Sequence, residues 1–308
     1  MTATAIDAKA FYEGLVEAKL IIPAGVDGVF GRSAMFEAVF AALDRAILEA
    51  AKGDEAEVVL FPPVMDRTIL EKVDYMESFP HLAGTVHSFL GKERQALEVS
   101  SKIKKGEPWG DLMGMTRVSM KPAACYPAYP TMAGTLPENG RLITLNDWVF
   151  RHEPSLEPTR MQAFRVREYI RAGTPDMCVA WRDQWHERGL KLLRDLGLPA
   201  SSDVAADPFF GRGGKVLADG QKAQKLKFEV LVPVISTENP TACCSFNYHQ
   251  EHFGHVFDIK TVDGKTAHTA CLGFGMERCV MALFQTHGFD PKSWPSAVRT
   301  LLGLDGVA

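Results

Sequence analysis

No stretch of this 308-residue chain approaches the roughly 20 consecutive apolar residues that a membrane-crossing helix needs. Residues 1–20 carry no charged segment followed by an apolar run, so no secretory leader is legible. The six cysteines, at 125, 178, 243, 244, 271 and 279, lack any framework spacing. That pattern argues for reduced thiols in the cytoplasm and against a disulfide scaffold. Positive charge is not in excess: the net charge of −4 excludes a broadly basic nucleic-acid binder. Internal repeats and low-complexity segments are missing, and so is the G-x-x-x-x-G-K-[ST] phosphate loop.

What is present is a chain long enough for one large domain, with a hydrophobic share of 46% that supports a packed core. Residues 8–20 read as a short lead-in helix. Residues 33–51 read as a longer one, because Phe36, Val39, Phe40, Leu43 and Ile47 form one apolar stripe and Ser33 suits the cap. Residues 57–63 read as a buried strand stopped by two prolines, and 65–75 as a helix. A charged helix is expected over 92–105, a strand over 115–120, and an amphipathic helix over 179–196. Residues 212–227 read as a Gly-rich basic connector, and 227–233 as a strand. Strands outnumber clear βαβ units, which predicts an α+β fold with a mostly antiparallel sheet flanked by helices.

The most informative stretch is 148–170, WVFRHEPSLEPTRMQAFRVREYI. Two apolar-rich segments flank a polar, Pro-containing loop, the pattern of a hairpin with a long loop. Arg151 and Glu153 are expected on one face of the first strand, since side chains alternate. A guanidinium fork beside a carboxylate suits a ligand that is anionic at one end and a hydrogen-bond donor at the other, as ATP is. Phe164 on the return strand is placed to stack on a purine. The competing reading is a solvated hairpin with cross-strand ion pairs.

Cys125, Glu168 and Cys271 each lie at the end of an apparent sheet element. Two thiolates and a carboxylate suit Zn²⁺ with one position open, although no local spacing rule joins them. His249, His252 and His255, three residues apart, are a rival set. Cys243-Cys244 is a candidate nucleophile without an obvious base.

Three segments resemble the motifs of class II aminoacyl-tRNA synthetases. The helix at 33–51 leading into 57–63 resembles motif 1. Phe150-Arg151-His152-Glu153, the loop and Phe164 resemble the f-R-x-E motif 2. Gly273-Phe274-Gly275-Met276-Glu277-Arg278 resembles the G-x-G-x-x-R motif 3. Cys125, Glu168 and Cys271 resemble the zinc ligands of the atypical seryl-tRNA synthetases of methanogens. About 30 residues precede the first motif and about 25 follow the third and its helix. The expectation is therefore a single catalytic domain over 1–308, without a tRNA-binding or anticodon-binding domain. In that respect the chain is similar to the amino acid:[carrier protein] ligases.

That resemblance implies activation of a small amino acid (glycine or alanine) by ATP, then transfer to the phosphopantetheine thiol of a carrier protein, with no tRNA. It implies Arg151 at the α-phosphate and Glu153 at the adenine amino group. Phe164 and Arg278 would lie on the two faces of adenine, Arg160 at the outer phosphates and Met161 at adenine through its backbone. Lys227 and Glu229 complete the nucleotide side. Mg²⁺ would bridge the phosphates, with Glu229 or Glu238 as acidic candidates because the usual ligand position falls near Pro240-Thr241. Zinc on Cys125, Glu168 and Cys271 would take the substrate amino group. A homodimer is also implied. The alternatives are a synthetase paralogue with another acceptor, tRNA included, and a non-catalytic regulatory subunit.

Overall fold

A computed structural model describes residues 7–209 and 214–305. Its centre is a seven-stranded sheet. In chain order the main elements are helix α1 (Ala34–Ala50), strands β1 (Glu57–Val58), β2 (Arg141–Phe150) and β3 (Ala163–Gly173), and helix α2 (Pro175–Asp195). Strands β4 (Ser201–Val204), β5 (Lys227–Val232), β6 (Thr241–Gln250) and β7 (His268–Gly275) follow, then helix α3 (Met276–His287). The strand order is β4-β5-β6-β7-β3-β2-β1. Every pairing is antiparallel except β1 with β2. This is the α+β, mostly antiparallel sheet expected from the sequence.

Alternation along the strands gives the sheet two unlike faces. Tyr169, Phe246 and Phe274 point to the back, where Trp185 of α2 packs against Tyr169 and Phe274 at ring separations of 5.1 and 6.4 Å. Gly189 lets α2 lie that close, since a Cβ there would stand 2.7 Å from the Phe246 ring. Helix α1 starts at Ser33, whose hydroxyl accepts the Phe36 N–H at 3.3 Å. It crosses the same back face and meets α3 through Phe36 and Phe284. The front face is left for the site. Over it stand a three-stranded sheet (Val64–Asp66, Thr85–Phe89, Met113–Met120) and the turns of 121–132.

Four local expectations are corrected. Residues 57–63 form only the two-residue edge strand β1, and Val58 and Leu60 are more than three-quarters exposed, at 76% and 77%. Their apolar character signals an uncovered sheet edge. Residues 65–75 hold the strand Val64–Asp66, then the helix Arg67–Lys72, which begins where Asp66 accepts the Thr68 N–H at 3.0 Å. Asp74, in the left-handed region at φ 55°, separates that helix from the turn Tyr75–Ser78. The connector 212–227 contains a helix, Gly214–Ala223, while its residues 212 and 213 lie outside the described residues. Strand β2 ends at Phe150, so strand alternation does not govern Arg151 and Glu153: the Glu153 N–H turns back to the Arg151 carbonyl at 2.8 Å.

A buried ionic cluster binds these layers. Glu277, fully buried at the start of α3, accepts the Arg165 N–H at 2.8 Å and Arg165 Nε at 2.9 Å. Arg32 Nε approaches the same carboxylate at 3.2 Å. The other end of Arg165 forks onto Glu37 of α1 at 2.6 and 2.8 Å. Removing one partner strands buried charge, so Glu277→Ala is expected to lose about 3–5 kcal/mol in urea unfolding. A loss below about 1 kcal/mol would mean that the cluster behaves like exposed ion pairs.

Candidate active site

The front face holds a cavity of about 1230 Å³. Its floor is explained by strand register. Glu229, Ser245, Gly273 and Glu168 oppose one another across β5, β6, β7 and β3, so their side chains form one row on one face. The next row is Lys227, Asn247, Cys271 and Ile170. Gly273 leaves a gap in the floor between Glu168 and Ser245, because a Cβ there would approach Val166 Cγ1 at 3.0 Å.

Cys125 reaches this floor from the turn after Met113–Met120. Lys121, completely buried, anchors the turn by pairing with Asp147 of β2 and reaching the Phe61 carbonyl at 3.4 Å. The result brings Cys125, Glu168 and Cys271 together. All three are buried, and one ligand atom from each lies within 4.8 Å of the others. Among the described residues this is the group able to hold a metal. His249, His252 and His255 do not form one, and His255 instead pairs with Glu251 at 3.2 Å on the surface.

The electrostatics of the triad favour a bound cation. Burial, followed by the neighbouring Cys271, pushes the Glu168 carboxyl well above its usual range. For the sulfur pair the direction is a thiolate at Cys271, pulled down chiefly by a hydrogen bond from Cys125, and a thiol at Cys125, held up by that same bond and by burial. The fully buried Tyr129 hydroxyl faces all three residues and lacks a partner in hydrogen-bond geometry. Two sulfurs, one carboxylate oxygen and a neighbouring orphan hydroxyl fit a thiophilic cation of the zinc class.

The rest of the floor is cationic. Arg151 leaves the end of β2, donates through Nε to the Pro122 carbonyl at 3.0 Å, and stands 5.8 Å from the centre of the Phe164 ring. Arg278, on the first turn of α3, donates to the carbonyls of Thr159 at 2.9 Å and Ala242 at 3.1 Å. Burial, then repulsion from Arg151, lowers the Arg278 pKa from its ordinary value. An anion between the two guanidinium groups would relieve that repulsion. Glu153 and Arg160 also line the cavity, 4.0 Å apart, and Arg160 pairs more closely with Glu157 at 3.3 Å.

Not every candidate faces the cavity. Met161 is buried, its sulfur 3.9 Å from Arg32 Nη2, and it is not part of the lining. Glu229 belongs to the lining and Glu238 does not. Cys243 and Cys244 are buried. Cys279 beside Cys243, and burial around Cys244, hold both thiols above their usual range, which disfavours a nucleophilic role.

Sequence reasoning missed Asp207, Asn247 and the Lys121–Asp147 anchor, and it read His249 as a ligand of a rival metal set. No local pattern marks the partnerships they make, since each acts through a residue at least 20 positions away. Lys227 Nζ lies 2.7 Å from Asp207 and 3.0 Å from Glu229. Burial opposes the Lys227 ammonium, but Asp207 and Glu229 outweigh it, so its pKa lies above 10.5. Burial likewise opposes the Asp207 carboxylate, and Lys227 with Gln221 lowers it below 3.8.

No family model matches the chain. It is 44% identical to amino acid–[acyl-carrier-protein] ligase 1 of Bradyrhizobium diazoefficiens over 288 residues, 93% of this chain and 88% of the relative. It is also 44% identical to ligase 2 of that organism, over 91% of this chain and 84% of the relative. A type-2 serine–tRNA ligase of Methanopyrus kandleri is 30% identical over 62% of this chain and 41% of its own length. The solved Methanopyrus kandleri seryl-tRNA synthetase superposes with a TM-score of 0.80 at 20% identity, over 97% of this chain and 60% of that one. A Cryptosporidium parvum prolyl-tRNA synthetase follows at 0.67 and 13%, over 92% and 52%. These structures establish the fold as a class II aminoacyl-tRNA synthetase catalytic core.

The depressed Asp207 pKa gives stability that is complete above 3.8 and lost as pH falls through the folded-state value. Asp207→Asn is therefore expected to flatten the acid limb of a urea-midpoint profile relative to the parent. Parallel profiles would show that the Lys227 pair contributes no acid sensitivity.

Proposed function

The chain belongs to the amino acid–[acyl-carrier-protein] ligases, and from that membership we propose that it activates glycine or alanine with ATP and passes the aminoacyl group to the phosphopantetheine thiol of a carrier protein. The observation that carries this reading is the sharing of one cavity. The Cys125/Glu168/Cys271 triad, the Arg151/Arg278 pair and Phe164 line the same space.

The first step joins the amino acid carboxylate to the α-phosphorus of ATP and releases pyrophosphate. The protein's work is positioning and charge stabilisation. Arg151 takes the α-phosphate, where negative charge grows as the pentacovalent state forms. Glu153 accepts from the adenine amino group, and Phe164 and Arg278 sandwich the ring. Arg160 takes the outer phosphates. Lys227 holds Glu229 toward the nucleotide. Mg²⁺ would accompany the phosphates, and Glu229 is an acidic residue of the cavity lining. Zinc held by Cys125, Glu168 and Cys271 would supply a Lewis-acidic site for an uncharged amino group, selecting α-amino acids over plain acids. The aromatic wall of Tyr126, Tyr129 and Phe253 beside the triad supports a short substrate side chain. In the second step the pantetheine thiol attacks the acyl carbon and AMP leaves, so no protein nucleophile is needed.

ATP–pyrophosphate exchange across the twenty amino acids, with zinc content measured alongside, tests the first step. Exchange is expected with glycine or alanine, and Cys271→Ala is expected to abolish both zinc and exchange. Retained zinc with normal exchange would end the ligand assignment. Arg151→Ala is expected to lower kcat about 10²–10³-fold, the cost of one donor aimed at developing charge. Charging should require the phosphopantetheinylated carrier protein. Efficient charging of tRNA, with none on the carrier, would overturn the acceptor.

A further inference from the structure

The two sulfurs of the triad are not equivalent. Cys271 Sγ receives Asn247 Nδ2 at 3.4 Å and stands 3.5 Å from His249 Nε2. Cys125 stands beside Cys271, Glu168 and the Tyr129 hydroxyl, and the buried Lys121 ammonium acts on it through charge.

The backbone explains how His249 comes to face Cys271. Along β6, Tyr248 pairs with Ala270 and Gln250 pairs with Thr269, so His249 is the extra residue of a β-bulge. Gln250 completes the distortion at φ 53°. His249 stands two residues from Asn247, so strand alternation puts both on the sheet face that carries Cys271. The ring is then fixed from two sides. Its Nδ1 lies 3.1 Å from the hydroxyl of the fully buried Thr269. Tyr129 and Phe253 meet it edge-on, at interplanar angles of 86° and 75°. With the Thr269 hydroxyl donating to Nδ1, Nε2 carries the hydrogen and donates to sulfur.

We infer that His249 is a positioning residue for Cys271, carried on the same sheet face and oriented by Thr269 so that its Nε2–H holds the sulfur in its ligating direction. This rests on the zinc reading given above. Partners that orient a ligand in this way commonly contribute 10–100-fold to metal affinity. Asn247 supports the same sulfur from the directly opposed position.

The test uses His249→Phe, which keeps an aromatic ring against Tyr129 and Phe253 but removes both nitrogens, and His249→Gln, which keeps a donor. Zinc affinity is read by chelator competition, and KM for amino acid and for ATP by pyrophosphate exchange. His249→Phe is expected to weaken zinc binding about 10–100-fold. It should also raise KM for the amino acid while leaving KM for ATP unchanged. His249→Gln should recover most of both losses. Equal loss in both variants, or a parallel rise in the two KM values, would overturn the positioning role. Unchanged zinc affinity in His249→Phe, with a parent that holds zinc, would overturn this inference alone. A parent that takes up no zinc would overturn the zinc reading together with it.

Discussion

The buried carboxylate of Glu277 is the constraint on which the rest depends. It stands on the back of the sheet, yet it sets the geometry of the front. Phe164 and Arg165 are neighbours on β3 and point to opposite faces, and Glu277 and Arg278 are neighbours at the start of α3. The back-face partners, Arg165 and Glu277, are locked by two hydrogen bonds to one carboxylate. The front-face residues, Phe164 and Arg278, are thereby held on the walls of one cavity. Glu37 ties α1 to the same guanidinium, so the three motif-bearing segments meet at one ionic node. Both Arg32 and Arg165 also lie about 5 Å from the centre of the Trp148 ring, which covers the node.

On the front face the sheet sorts two chemistries by row and by wall. The sulfur and carboxylate donors gather where β7 and β3 meet the turn carrying Cys125. Arg151, tied to the same turn through Pro122, and Arg278, tied to the hairpin loop through Thr159, bring two guanidinium groups to the same cavity. Under the proposed function, a substrate with an amino group at one end and a carboxylate at the other would lie between the triad and these arginines.

Much of this was legible in the chain. The stripe in α1, the hairpin of 148–170 and the glycines before α3 mark the class II fold through local spacing. Local spacing misled where it was read as burial. Val58 and Leu60 are apolar and exposed, because they sit at the sheet's edge. Arg151 and Glu153 reach the cavity together although the strand that should have aligned them has already ended. Asp207 and Asn247 carried no signal at all, and the three-residue spacing of His249 pointed to a metal set that the fold does not assemble.

The sequence by itself determined the elements, the sheet class, the family and the residue types from which a site is built. Periodicity, caps and short motifs are local properties of a chain, and they survive without knowledge of the partners. The tertiary structure alone decided which residues meet. Cys125, Glu168 and Cys271 are brought within 4.8 Å by strand register and by the buried Lys121–Asp147 anchor, over separations that no spacing rule encodes. Likewise the register of β6 against β7 brings Asn247 and His249 to Cys271, a meeting that no local pattern encodes. Register is set by the summed packing of both sheet faces, and packing is a property of the folded chain as a whole.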